Sequence, residues 1–371
     1  MLLPQTKFFL PILFMLISFA VSNAQTTTPT PPTDDETERI FTEEIKLNIT
    51  AFDSNGKFTS NVKKEDLVIM EDGRIHQASS VRRIPANILI VMDTGGEMRQ
   101  AKTLNQTRAT AKSLINALQI EDSVAIMQYS DKAEIIAEWT NNKAEASKIL
   151  DTKANFGKRS VFTGALETAT KFLQKTPLDN RHLVLITDGT DSLNNIAERD
   201  AAMKNLLTTD INVHVISYTQ MELAGIEPRT KGTSKTPLPH AMPAEIAATM
   251  PQGVQDMIKA RNSGIHVNTD KEFLKKMRER KTSLIESEKY LAAISKDTNG
   301  EFIVPESKEE MLEKTELVAR FIDSSHIVTY APKRPLKESK TGEVRNIEVT
   351  SRRPDLDVQA RRKLIVSVDK K

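Results

Sequence analysis

Asp93, Thr163 and Asp188 are the residues through which this sequence could do chemistry. Asp93 closes the apolar run Ile88–Met92, Asp188 follows the run Leu183–Thr187, and Thr163 stands at the start of an amphipathic stretch over 161–174. Open α/β sheets bind their ligands at the carboxyl ends of the strands, so two carboxylates and a hydroxyl there make a candidate oxygen-rich site. The same two aspartates also suit a plain role, capping the helices that follow or accepting loop amides. Asp191, in the segment TDGTDS, reads as a solvated turn residue. Other chemistry lacks its residues. The six histidines, at 76, 182, 214, 240, 266 and 326, contain no pair at helical ligand spacing. There is no phosphate-cradling glycine loop and no Gly-x-Ser-x-Gly elbow.

The elements that must hold these residues alternate. From Asn87 the pattern runs strand (88–92), helix (98–118), strands (124–129 and 135–139), helix (161–174), strand (182–187), helix (196–207) and strand (213–218). That order predicts a doubly wound, mostly parallel sheet with helices on both faces. Residues 225–265, rich in proline, break the rhythm. A basic helix near 270–281 follows, and together they form an insertion at 225–285. Its run Lys271, Lys275, Lys276, Arg278, Arg280 and Lys281 is interleaved with Glu272, Glu279 and Glu286, as on a solvated helix face. A further helix ends near Asn299-Gly300, a strand covers 301–304, and Ser307 with Glu310 three residues on opens a last helix as a capping box.

Both flanks switch to period two, with Asp72-Gly73 as a hairpin signal. Neither flank has enough strands to enclose a core, so they should pair with each other. The expected organisation is a β-sandwich formed by residues 38–85 and 325–371, with the α/β domain, residues 86–324, inserted between its halves.

Lys7, the apolar run Phe8–Val21 and the small residues before Gln25 have the layout of a signal peptide over 1–24. The run falls short of the roughly 20 residues that span a bilayer, so no stable membrane insertion is expected after cleavage. Residues 25–37, threonine, proline and acid, read as a disordered tether. The expected location is secreted, periplasmic or on the cell envelope. With no cysteine, stability has to come from apolar burial, and thiol catalysis is excluded. With 52 basic and 50 acidic residues intermixed, nothing points to nucleic acid. One tryptophan and four tyrosines offer no stacking platform for sugars or bases.

DTGGE at 93–97, VFTGAL at 161–166 and ITDG at 186–189, in that order, resemble the three loops of the von Willebrand factor type A family. The likeness covers roughly 86–324, and the segments at 64–77 and 326–361 are similar to those flanking this domain in exported bacterial proteins of the family. The resemblance implies a Rossmann-like fold, a protein partner and no catalysis. It also implies a metal-ion-dependent adhesion site, in which Mg²⁺ is held by an Asp-x-Ser-x-Ser motif, a threonine and a second aspartate, and a partner's carboxylate completes the shell. Asp93, Thr163 and Asp188 match three of those positions. Gly95 and Glu97 replace the serines, so the site is degenerate, with Asp93, Glu97, Thr163 and Asp188 as its remaining ligands. Restoring both serines is expected to rebuild it.

An alternative function is a secreted aspartic protease-like hydrolase, because Asp93-Thr94-Gly95 after an apolar strand matches the active-site tripeptide of that family. Such chemistry needs two facing carboxylates that share a proton. No second tripeptide exists, since Asp188-Gly189-Thr190 has the wrong order.

Overall fold

The run Ile88–Met92 is wholly buried, and its residues alternate between two cores. Ile88, Ile90 and Met92 face one apolar cluster; Leu89 and Val91 face another on the opposite side. A strand covered on both faces is what a central parallel strand requires. The computed structural model describes residues 43–96, 103–177, 179–234, 250–262, 266–361 and 363–366. The segments read as signal peptide and tether, residues 1–37, and the candidate ligand Glu97 lie outside these residues.

In chain order the first strands are β1 (Ile45–Asp53), β2 (Leu67–Glu71), β3 (Arg74–His76) and β4 (Ser80–Arg82). The α/β unit follows with β5 (Asn87–Asp93), α1 (Leu104–Ala117), β6 (Ser123–Tyr129), β7 (Ala133–Thr140), α2 (Lys143–Lys153), α3 (Phe162–Lys175), β8 (Arg181–Thr187), α4 (Ile196–Leu207) and β9 (Asn212–Ser217). Then come α5 (Thr219–Ile226), β10 (Thr233–Ser234), α6 (Gln252–Asn262), β11 (His266–Val267), α7 (Lys271–Asp297), β12 (Phe302–Ile303) and α8 (Lys308–Asp323). The chain ends in β13 (Ser325–Tyr330), β14 (Val344–Ser351), β15 (Leu356–Ala360) and β16 (Lys363–Ile365).

The central sheet has the order β12-β9-β8-β5-β6-β7, parallel except for β7 at one edge. Helices α1 and α8 cover one face through Ala111, Leu114, Ile115, Val318 and Ile322. Helices α3 and α7 cover the other through Phe162, Leu166, Leu173, Leu291 and Ile294. The chain leaves β5 for β6 on one side and later returns to β8 on the other. The carboxyl ends of β5 and β8 therefore flank the topological switch point, where such sheets form a crevice.

The terminal strands make two antiparallel sheets, β15-β1-β13-β4 and β16-β14-β2-β3, each mixing strands from both ends of the chain. Ile45, Leu47, Ile49 and Ala51 of β1 alternate into a shared core with Leu67, Ile69, Val328, Tyr330, Ile347, Val349 and Val358. That core also buries Arg345, completely shielded, on Glu71; its guanidinium donates further to the carbonyls of Arg334 (2.9 Å) and Pro335 (3.2 Å) and to Ser339 Oγ (2.6 Å). A buried charge is tolerated only when paired and hydrogen-bonded in this way.

Four elements depart from the sequence reading. Helix α2 was not anticipated, because only Ala146 and Leu150 of its eleven residues are buried and its apolar signal is faint. The two helices expected on either side of residue 285 are one helix of 27 residues, α7. The stretch read as irregular contains α5 at its start and α6 within it. The capping box at Ser307 is half formed: Ser307 Oγ accepts from the Glu310 amide, while the Glu310 carboxylate takes the Glu306 amide.

Two histidines in the central sheet, His182 of β8 and His214 of β9, are wholly buried. The Glu301 amide donates to His214 Nδ1 (3.0 Å), so His214 carries its proton on Nε2 and donates to His182 Nδ1 (2.9 Å); His182 Nε2 then donates to Asn180 Oδ1 (2.9 Å). Asn180 in turn donates to the Ile84 carbonyl (2.9 Å). This chain needs both rings neutral. Burial lowers His182 from 6.5 to about 3 and His214 well below its ordinary value, the second helped by its neighbour.

The unfolded chain protonates these rings near pH 6.5, whereas the folded one does so only far lower. Their contribution to stability is therefore whole above that pH and is lost as pH falls below it, at about 1.4 kcal/mol per histidine per pH unit. Denaturant melts between pH 6.5 and about 5 should show this slope, and a His182→Gln/His214→Gln variant should show a flatter one. Equal slopes would contradict the neutral pair.

Candidate functional site

Strand β5 ends where its backbone stops pairing as sheet and turns over the crevice. The Thr94 amide donates to the Tyr129 carbonyl (2.9 Å), and the Gly95 amide folds back onto Asp93 Oδ1 (3.0 Å). The Asp93 side chain is completely buried. Its Oδ1 also accepts from Ser160 Oγ (2.9 Å) and its Oδ2 from Thr187 Oγ1 (3.3 Å). Because the Thr187 hydroxyl proton goes to Asp93, the Tyr129 hydroxyl, 2.6 Å away, donates to Thr187. Burial first, and the Asp93 charge second, push the Tyr129 phenol well above its ordinary value, so it stays a donor.

Asp188, one residue past β8, is equally buried. Its Oδ1 accepts from the Thr190 amide (2.9 Å) and hydroxyl (2.6 Å). Its Oδ2 accepts from Arg280 Nη2 (2.9 Å), and Arg280 Nη1 donates to Thr190 Oγ1 (2.5 Å). Gly189 between them has φ +68°, and a side chain there would meet Leu291 at 2.7 Å, so glycine is needed both for the backbone and for the close approach of α7.

Thr163 lies in the first turn of α3, whose N-cap residue, Val161, supplies no side-chain bond. Asp191 provides the cap from the neighbouring loop: its Oδ2 accepts from the Thr163 amide (2.7 Å) and its Oδ1 from the Leu193 amide (2.9 Å). A carboxylate at a helix N-terminus is favourable both as acceptor and as charge. Asp191 is thus a structural cap, a role its sequence context did not suggest. The Thr163 hydroxyl is buried with no hydrogen-bond partner among the described residues. It lines a cavity of about 30 Å³ with Gly189, Thr190, Asn194, Ser283 and Ser287.

The candidate residues Asp93, Thr163 and Asp188 therefore share one face, the switch-point crevice. Sequence reasoning missed Ser160, Thr187, Tyr129 and Arg280. Ser160 adjoins the VFTGAL segment and Thr187 sits inside the LVLIT strand, so position alone could have suggested them. Arg280 carried no such signal, since only the packing of α7 beside β8 brings it in. The loops are also bonded to each other, Ser192 to Ser160 in both directions (2.8 and 2.9 Å).

Position 95 has no room for a ligand. A Cβ on Gly95 would lie 1.6 Å from the Arg159 carbonyl oxygen and 2.9 Å from Ser130 Cα. A serine here would require the Arg159 backbone to shift, which counts against the expectation that serines at positions 95 and 97 would rebuild an adhesion site. Among the described residues, no three acid, histidine or cysteine side chains come together in an arrangement that could hold a metal. The hydrolase alternative gains nothing either, because Asp93 lies buried at the end of a parallel strand with its oxygens tied to Gly95, Ser160 and Thr187.

Residues 88–190 match the sequence model of the von Willebrand factor type A domain. No curated protein matches the chain. Similar solved structures include an aerotolerance-related membrane protein from Bacteroides fragilis, 16% identical, covering 64% of this chain and 98% of its own, with a TM-score of 0.36. A von Willebrand factor type A protein from Catenulispora acidiphila is 9% identical over 83% of this chain and 74% of its own, with a TM-score of 0.42. The PilB minor pilin from Streptococcus sanguinis is 13% identical over 66% and 62%, with a TM-score of 0.38. The α/β unit of this chain, across residues 88–190, is a von Willebrand factor type A domain.

Proposed function

We propose that this chain is an exported, non-enzymatic binding protein that meets a protein partner with the loops over the switch-point crevice, and that it does so without depending on Mg²⁺. One observation carries the reading: these loops turn their carboxylates inward and their apolar side chains outward. Asp93 and Asp188 are fully buried, while Phe156, Leu193 and Ile196 are 57%, 55% and 59% exposed. Apolar side chains presented from a hydrogen-bonded loop frame are features of a contact surface. The cavity beside Thr163, about 30 Å³, is far below the roughly 300 Å³ at which small-molecule pockets begin, so at this crevice a protein surface is favoured over a small-molecule substrate. Export is supported by the layout of residues 1–24 and by the absence of cysteine.

Of the residues inherited from an adhesion site, only Asp93, Thr163 and Asp188 are available to Mg²⁺ within the described residues, and both aspartates already accept internal hydrogen bonds. Mg²⁺ demands near-octahedral oxygen geometry, and this set does not offer it. On this reading the Asp93 and Asp188 carboxylates tie the loops together.

Three outcomes follow. Intact-mass measurement of protein from a native host should give a chain beginning at Gln25; retention of residues 1–24 would contradict export. A photo-reactive residue at Asn194 should cross-link a discrete envelope protein, equally with and without a chelator, and Leu193→Asp/Ile196→Asp should abolish the product without lowering the melting temperature. Loss of the product on chelation alone would contradict the reading. Gly95→Ser should melt roughly 5 °C or more below the parent, because overpacking against backbone is costly, and should gain no response to Mg²⁺. A stable variant that Mg²⁺ stabilises further would show that the 155–160 loop yields.

A further inference from the structure

Two strand edges of the terminal sandwich lie along one groove. The turn after β1 shows which way the first of them faces: the Thr59 amide donates to the Ala51 carbonyl (3.0 Å) and the Asp53 amide to the Lys57 carbonyl (2.7 Å). Ala51 and Asp53 therefore turn away from β15, while Thr50 and Phe52 exchange hydrogen bonds with Gln359 and Asp357 of that strand. The backbone groups of Val358 and Ala360 point to the opposite side, and among the described residues no strand pairs with that edge. In β14 the Asn346 carbonyl takes the Asp72 amide (2.9 Å) on the β2 side. Val349, three residues on, thus faces the β16 side, where the described pairing of β16 stops at Asn346.

The groove between these edges encloses about 810 Å³. Its inner wall is apolar and belongs to the sandwich core, with Ile347, Val349 and Val358 all buried. Its outer wall is the C-terminal end of α7 and the residues after it, including Lys296 and Asn299. There Ser295 Oγ, on a residue only 1% exposed, has no hydrogen-bond partner. A row of unpaired amides and carbonyls is a template for another strand, and it repeats every second residue, at roughly 6.8 Å. A strand laid antiparallel on β15 presents alternate side chains to the apolar wall and the others to Ser295, Lys296 and Asn299. Free backbone groups at strand spacing fit a polypeptide better than a compact ligand, which needs a few convergent polar groups. Two carboxylates, Glu348 and Asp357, against one ammonium, Lys296, leave the lining negative. The chain's own residues 25–42 match this groove poorly: prolines apart, their apolar residues are Ile40 and Phe41, and adjacent positions in a strand face opposite sides.

We propose that this groove binds an extended segment of a partner protein, alternately apolar and polar with a basic end, which adds antiparallel to β15 as a fifth strand of the sheet β15-β1-β13-β4. The surface shares no residue with the switch-point crevice, so its test is independent of the binding proposed there.

The probe is a fluorescent peptide, Thr-Val-Thr-Val-Thr-Val-Lys, titrated into the mature full chain by anisotropy, with hydrogen exchange read at single amides. It should bind saturably with a dissociation constant of about 100 μM or tighter. Binding should slow exchange at the Ala360 amide roughly tenfold or more and leave Gln359, already bonded to β1, unchanged. In an antiparallel pair the valines that face the apolar wall carry the N–H groups aimed at β15. N-methylation of the valines should therefore abolish binding, while N-methylation of the threonines should leave it within about threefold. Ala360→Pro removes an N–H that β1 does not use, on an edge where proline is tolerated; it should fold as the parent does and bind the peptide roughly tenfold more weakly. If that variant does not fold, the methylated peptides carry the comparison on the parent. The proposal is overturned if the peptide shows no binding below about 1 mM, if the valine-methylated peptide binds as tightly as the unmodified one, or if folded Ala360→Pro binds it as the parent does. It is also overturned if the Ala360 amide is already as protected as Gln359 without peptide, which would put a segment of this chain or of a second copy on the edge.

Discussion

Two aspartate side chains at the carboxyl ends of adjacent parallel strands, both sealed from water, set the terms on which this fold is built. Burying a carboxylate costs more than most single contacts return unless its charge and its lone pairs are answered. Among the described residues, an amide and two hydroxyls donate to Asp93, and an amide, a hydroxyl and a guanidinium donate to Asp188. The donors come from Gly95, Ser160, Thr187, Thr190 and Arg280, so satisfying the two acids ties together the ends of β5 and β8, the 155–163 loop, the 188–196 loop and α7. Ser160, Thr187 and Thr190 thus matter for the same reason as the aspartates they serve.

The same requirement bears on function. In an adhesion site of this family, the resemblance implies an ion whose charge is left unspent, so that a partner's carboxylate is drawn to it. Here both acids accept internal donors, the Arg280 guanidinium among them. What remains for a partner is the outer surface of the loops, Phe156, Leu193 and Ile196 with the polar residues around them. On the proposed reading, recognition would rest on apolar contact and loop shape.

Much of the fold was legible because the governing signals are local. The buried run Ile88–Met92, the amphipathic stripe of α3 and the alternation of Ile45, Leu47 and Ile49 are written within windows of a few residues. The positions of Asp93 and Asp188 followed from strand ends alone. Helix α2 was not legible, since its two buried residues leave no clear period. Arg280 was hidden for a different reason: its run of lysines, arginines and glutamates is what a solvated face looks like, and most of that run is one. Its partner is 92 residues away in sequence and is set by the packing of α7 across the sheet. The crowding at Gly95 was hidden in a third way, because the carbonyl of Arg159 that a side chain there would meet comes from another loop.

The central claim of the proposed reading is that this crevice works without a metal ion. Crystals of the mature protein grown in millimolar Mn²⁺ and measured at the manganese absorption edge test it most directly. The account predicts the Arg280 guanidinium in contact with Asp188 Oδ2 and no anomalous peak among Asp93, Thr163 and Asp188. A peak there, with Arg280 turned away from Asp188, would contradict it.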